Sequence, residues 1–258
     1  MSDNLNVRHT PGQGAAQPLY VPIKRRSFFQ YAGATAGATV LLLSGCDDDD
    51  DPKVDPGTGT VDVGALGAND VGVLNYAYAL EQLEAAFYAQ VVAGGHFNNP
   101  TTSMGEKQIL TDLALHERIH ADFFKTALGA SAIRALTPDF SKIDFTQRSG
   151  TMNGRIGVLD AAKAFEDLGV AAYNGAGRFI SNPATLTLAG KIVSVEARHA
   201  ALIRDLLVPG SFVGDDVVDF RLSGVTARQE KSKLPAEVLV TVNMFLAEGS
   251  KVSANSLT

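Results

Sequence analysis

From residue 68 onward, apolar side chains recur every three or four positions, and they do so in four blocks. In the first, Val73, Leu74, Ala77, Leu80, Leu83, Ala86 and Phe87 mark a helix that Asn69 or Asp70 can cap and that stops near Gly94-Gly95. The second runs from about 104 to 128 through Ile109, Leu113, Ile119, Phe123 and Phe124, and ends at Gly129. Residues 130–153 hold Pro138 and no clear period, so they read as a long connection. A third helix is predicted over about 154 to 180, closed by Ser181-Asn182-Pro183, and a fourth over about 184 to 207, stopped by Pro209-Gly210. Beyond it, 211–233 is irregular, and 235–246 admits one short helix because proline suits a first helical turn. No dependable period of two occurs. The pattern predicts an all-α chain: an up-down four-helix bundle over 68–210 with one long crossover, followed by a C-terminal extension over 211–258.

The first 67 residues follow no such pattern. Lys24-Arg25-Arg26-Ser27-Phe28-Phe29 precedes an apolar run over 31–45, whose 15 residues fall short of the ~20 that a membrane-spanning helix needs. A basic start, a short apolar stretch and a small-residue exit make an export signal, whereas Gly33, Gly37 and Gly45 argue against an amphipathic first helix. Arg25-Arg26-x-Phe28-Phe29 resembles the twin-arginine signal, which sends folded proteins across a membrane, and Leu43-Ser44-Gly45-Cys46 resembles a bacterial lipobox. Residues 1–46 are therefore expected to act as the export signal, with Cys46 lipidated as the mature N-terminus, leaving an exported, periplasmic protein anchored to the membrane by lipid. Asp47 to Asp51 form a self-repelling block; with the Pro and Gly that follow, 47–67 reads as a flexible tether. A calcium site there lacks the turn geometry that such loops require.

Composition narrows the chemistry. Cys46 is the one cysteine of 258 residues, so an internal disulfide and a cysteine-rich zinc site are both excluded, and any metal must be held by His, Asp and Glu. Without residues 1–46 the chain carries 18 Lys and Arg against 27 Asp and Glu, net −9, which leaves no electrostatic footprint for nucleic acid.

The helices carry an internal repeat. Glu81 and Glu166 lie 85 residues apart in matching segments, each followed seven positions later by a tyrosine, Tyr88 and Tyr173. Seven residues is close to two turns, so each Glu and its Tyr project from one face. At an offset of 79, Glu117-Arg118-Ile119-His120 matches Glu196-Ala197-Arg198-His199, with Glu and His three apart and aimed alike. Converging in a bundle, these groups offer four carboxylates and two imidazoles to two cations, and four negative charges in a core are very costly without metal or protons.

The order Glu-x6-Tyr, Glu-x-x-His, Glu-x6-Tyr, Glu-x-x-His resembles the ferritin-like superfamily, specifically its exported members related to desiccation-associated proteins, over roughly 68–208. The resemblance implies Glu81 and Glu166 as terminal ligands, Glu117 and Glu196 as bridging ligands, and His120 and His199 as one imidazole per metal. Tyr88 and Tyr173 would then hydrogen-bond to carboxylates across the bundle; the plain alternative makes them core aromatics. Two ions of iron or manganese are the implied cofactor, O₂ or hydrogen peroxide the implied small-molecule substrate, and a homodimer stays open. Di-iron oxidase chemistry in the cell-envelope stress response is the expected function. The alternatives are a manganese site that disproportionates peroxide and a non-catalytic metal-binding or desiccation-protective envelope protein.

Three competing signals bear on the site. Glu84 shares the face of Glu81, but the repeat pairs it with Gly169 and pairs Glu81 with Glu166. His116-Glu117-x-x-His120 matches a zinc-protease motif, yet His116 corresponds to Val195, so a role behind the ligands or at the surface suits it better. His96, beside Gly94-Gly95, is expected at the surface.

Overall fold

A computed structural model of the chain describes residues 59–64, 70–219 and 229–257. The export signal, Cys46 and most of the tether lie outside the described residues, as does Asn69, one of the two candidate caps of the first helix. Four long helices make the bundle: α1 (Asp70–Ala93), α2 (Met104–Leu128), α3 (Val158–Ala176) and α4 (Pro183–Leu207). α1 packs on α2 and α3 packs on α4, so each half of the sequence repeat forms its own pair. No helix among the described residues is long and apolar enough to cross a membrane.

Local chemistry sets the helix ends. Ser103 Oγ accepts the Glu106 N–H at the start of α2, and Gly129 ends it at φ 52°, a conformation glycine adopts without strain. Asn182 caps α4 by accepting the N–H groups of Ala184 and Thr185, with Pro183 in the first turn. The Asp70 carboxylate accepts from Ser181 N and Oγ and from Asn182 N, which ties the start of α1 to the α3–α4 turn.

The crossover is ordered. Asn75, fully buried on α1, donates to Ser131 O at 2.9 Å and accepts from Ile133 N at 2.7 Å. Farther along, Ile143–Asp144, Thr151–Met152 and Arg155–Gly157 form a three-stranded sheet with Arg155–Gly157 in the centre. α3 consequently starts at Val158, later than the helical period suggests.

The C-terminal extension is part of the core. A fifth helix, α5 (Pro235–Val242), and the segment after it contribute Val238, Leu239, Val242, Phe245, Leu246, Val252 and Leu257 to the main apolar cluster. Val252–Ser253 pairs in parallel with Val61–Asp62, so these two residues of the segment read as a tether are held by a strand contact.

Two expectations about exposure are reversed. Ile119 and Phe123, read as part of the inward stripe of α2, are 60% and 36% exposed. The buried positions of α2 are Glu106, Leu110, Leu113, Glu117, His120, Phe124 and Leu128. Glu106, Glu117 and His120 share the inward face with apolar residues, so the apolar period alone misplaces part of it. His96 is buried, because Glu106 accepts from its Nε2 at 2.7 Å and also binds Arg148 Nε at 3.0 Å.

Candidate metal centre

Each bundle helix brings its own donors to one interior point. Glu81 comes from α1, Glu117 and His120 from α2, Glu166 from α3, and Glu196 and His199 from α4. The four carboxylates are fully buried, and the two histidines are 8% and 4% exposed. His120 Nδ1 lies 3.3 Å from Glu81 Oε2, 3.3 Å from Glu117 Oε2 and 2.9 Å from Glu196 Oε1. His199 Nδ1 lies 2.6 Å from Glu117 Oε1, 3.6 Å from Glu166 Oε2 and 3.5 Å from Glu196 Oε2.

The pattern is two groups sharing two members. Glu81, Glu117, His120 and Glu196 form one set able to hold a cation; Glu117, Glu166, Glu196 and His199 form the other. Glu117 and Glu196 each turn one oxygen to either histidine, whereas Glu81 and Glu166 each serve one side only. Glu84 belongs to neither set. It is buried beside Gly169, whose missing side chain leaves room: a Cβ there would stand 3.2 Å from Glu84 Oε1.

The tyrosines cross between the pairs. Tyr88 of α1 donates to Glu166 Oε1 of α3 at 2.5 Å, and Tyr173 of α3 donates to Glu81 of α1. Each hydroxyl thus holds the outer oxygen of a one-sided carboxylate and leaves the inner oxygen facing the centre. They are not merely packing aromatics.

Hydrogen bonding does not account for this cluster. Of the six nitrogen–oxygen approaches, only His120 Nδ1 to Glu117 Oε2 has hydrogen-bond geometry. Glu81 Oε2, Glu117 Oε1, Glu166 Oε2, both Glu196 oxygens and His199 Nδ1 are buried without a hydrogen-bond partner. Buried polar atoms of native proteins are normally paired, so six orphans facing one point fit cations better than one another. Imidazole nitrogen and carboxylate oxygen are also the donors that first-row divalent ions accept.

Proton affinities record the crowding. Burial drives the Glu81 carboxyl up to about 8 against the pull of nearby His120, with Glu196 and Glu117 adding to the rise. Burial likewise lifts Glu166 to about 8, opposed by His199 and reinforced by Glu117 and Glu196. For Glu117 the burial penalty is outweighed by His120 and His199, which hold it at about 2. Burial would lower both histidines, but the carboxylates overcome it and push each up to about 12.

His116 stands just outside. Its Nδ1 is 2.9 Å from His199 Nε2, and it belongs to neither cation-holding set. The protease reading requires His116 and His120 to share one ion; instead their rings lie parallel, 5.7 Å apart, and His116 bonds to the other helix pair. A small apolar cavity of about 20 Å³ lies among all four helices, lined by Leu80 of α1, Phe124 of α2, Ala189 and Ile192 of α4, and Tyr173 of α3, the residue that holds Glu81.

The family model of the ferritin-like domain matches residues 69–209, which contain all four bundle helices and all six inward-facing donors. No curated protein matches the chain.

Proposed function

The chain belongs to the ferritin-like domain family, and we propose on that premise that it holds two metal ions and reduces oxygen species in the cell envelope. Glu117 and Glu196 would bridge the ions, Glu81 and Glu166 would each complete one side, and His120 and His199 would give one imidazole to each. The observation that carries this reading is the split of the two shared carboxylates, one oxygen toward each histidine. Two bound ions of iron or manganese would supply the electrons that reduce O₂ or hydrogen peroxide. The protein's own part is to keep the donors in place and to govern protons. Glu81 and Glu166, lifted to about 8, hold protons at neutral pH without metal, and loading releases them. The small apolar cavity that Tyr173 lines suits a small apolar reactant such as O₂.

Anaerobic protein given Fe(II) and then air provides the test. The proposal expects stoichiometric Fe(II) oxidation, abolished in the double variant His120→Ala, His199→Ala. Release of O₂ from peroxide by manganese-loaded protein would instead favour disproportionation. Bound zinc with no turnover of either kind would leave a non-catalytic metal protein and overturn the enzymatic reading.

Arg25-Arg26 and Leu43-Ser44-Gly45-Cys46 support export and lipid anchoring. Mass spectrometry of the membrane-bound protein should find an acylated Cys46 at its N-terminus, and Cys46→Ser should release the protein from membranes. A chain that keeps residues 1–45 in the cytoplasm would contradict this assignment.

A further inference from the structure

We propose that His116 is a positioning residue for His199, and that its presence on one side alone makes the two metal positions unequal. The inference rests on the two-ion reading above.

His199 uses its two ring nitrogens differently. Nδ1 faces Glu117, Glu166 and Glu196, while Nε2 points outward to His116 Nδ1 at 2.9 Å. A neutral imidazole carries one proton, and the nitrogen that gives its lone pair to a cation must be the bare one. With Nδ1 as the donor to metal, the proton sits on Nε2 and needs an acceptor. His116 Nδ1 supplies it, which fixes both the tautomer and the ring plane of His199. The same bond places the proton of His116 on its own Nε2.

The other half of the repeat lacks this device. His120 corresponds to His199 at the 79-residue offset, and the residue matching His116 is Val195, whose side chain accepts no proton. His116 lies parallel to the ring of His120 without hydrogen-bonding to it, so among the described side chains only carboxylates bond to His120, and they do so at Nδ1. The ion beside His199 has a pre-set ligand and the ion beside His120 does not, so the first position binds the tighter of the two.

His116 is exposed and belongs to neither apolar cluster, so its removal leaves the apolar core intact. Cobalt(II) titration of the metal-free full-length chain, followed by its visible spectrum, tests the proposal with three proteins: the wild type, His116→Ala and His116→Asn. The wild type should bind two Co(II) in two distinguishable steps. His116→Ala should weaken the tighter step by about 10–100-fold, change its spectrum, and leave the weaker step and the metal-free Tm unchanged. His116→Asn should restore the tighter step, because its amide oxygen can take the place of Nδ1. Equal steps in the wild type, an alanine variant that weakens both or neither, or an asparagine variant no better than alanine would overturn it. A wild type that binds no Co(II) would sink the two-ion reading as well, and so separates the two failures.

Discussion

At the scale of single residues, the cluster makes the metal-free protein sensitive to pH in a direction that can be worked out. Glu81 and Glu166 bind protons more tightly when folded, at about 8 against an ordinary 4.5. Their contribution is complete below 4.5 and is lost as pH rises through 8. His120 and His199, lifted from 6.5 to about 12, contribute fully below 6.5 and lose that contribution as pH rises toward 12. Glu117, lowered to about 2, acts the other way and stabilises above 4.5. Four groups thus favour the fold less as pH climbs, and the metal-free Tm should fall steadily from about pH 5 to about pH 9. Bound metal replaces those protons, so the loaded protein should lose much less over the same range. Thermal melts in both states check this; a metal-free Tm that rises across the range would contradict it. The tyrosines give a second prediction. Tyr173→Phe and Tyr88→Phe each free the outer oxygen of a carboxylate and should cut metal affinity about 10–100-fold in chelator competition.

Among the elements, the helices differ in how well the sequence reveals their faces. α1 and α3 are apolar around most of their circumference, because each is covered by its bundle neighbours and by the C-terminal segment. α2 is harder to read: Glu106, Glu117 and His120 take inward positions, so an apolar period that assumes charge outside drifts onto Ile119 and Phe123. The internal repeat supplied a signal that hydropathy lacks, since it singled out Glu81 over Glu84 and paired the two Glu-x-x-His segments. Contacts across the sequence were not legible. Nothing near Gly175 announces that Lys233 lies against it, yet a Cβ on Gly175 would stand 1.7 Å from the Lys233 carbonyl oxygen. Gly175→Ala should therefore destabilise by about 1–3 kcal/mol in urea unfolding. Gly190→Ala, in open space on α4, should be neutral or stabilising by up to about 1 kcal/mol. Equal effects at both positions would show that the close approach does not matter.

For the molecule as a whole, the four-helix plan with one long crossover was readable from period, punctuation and the repeat, and the family match spans it. The crossover's small sheet and the role of the last thirty residues were not. Strands of two or three residues carry too little alternation to detect, and the tail's apolar positions gain meaning only from the α1 and α3 surfaces they cover. That tail and the crossover close the bundle around its interior charges without adding a donor to either cation-holding set. The central claim is that six side chains from four helices enclose two ions. Anomalous diffraction from crystals of the protein grown with Mn(II) tests it most directly. The account predicts two peaks about 3.5–4 Å apart, one beside His120 and one beside His199, with Glu117 and Glu196 touching both. Peaks only at the surface, or none within the bundle, would contradict it.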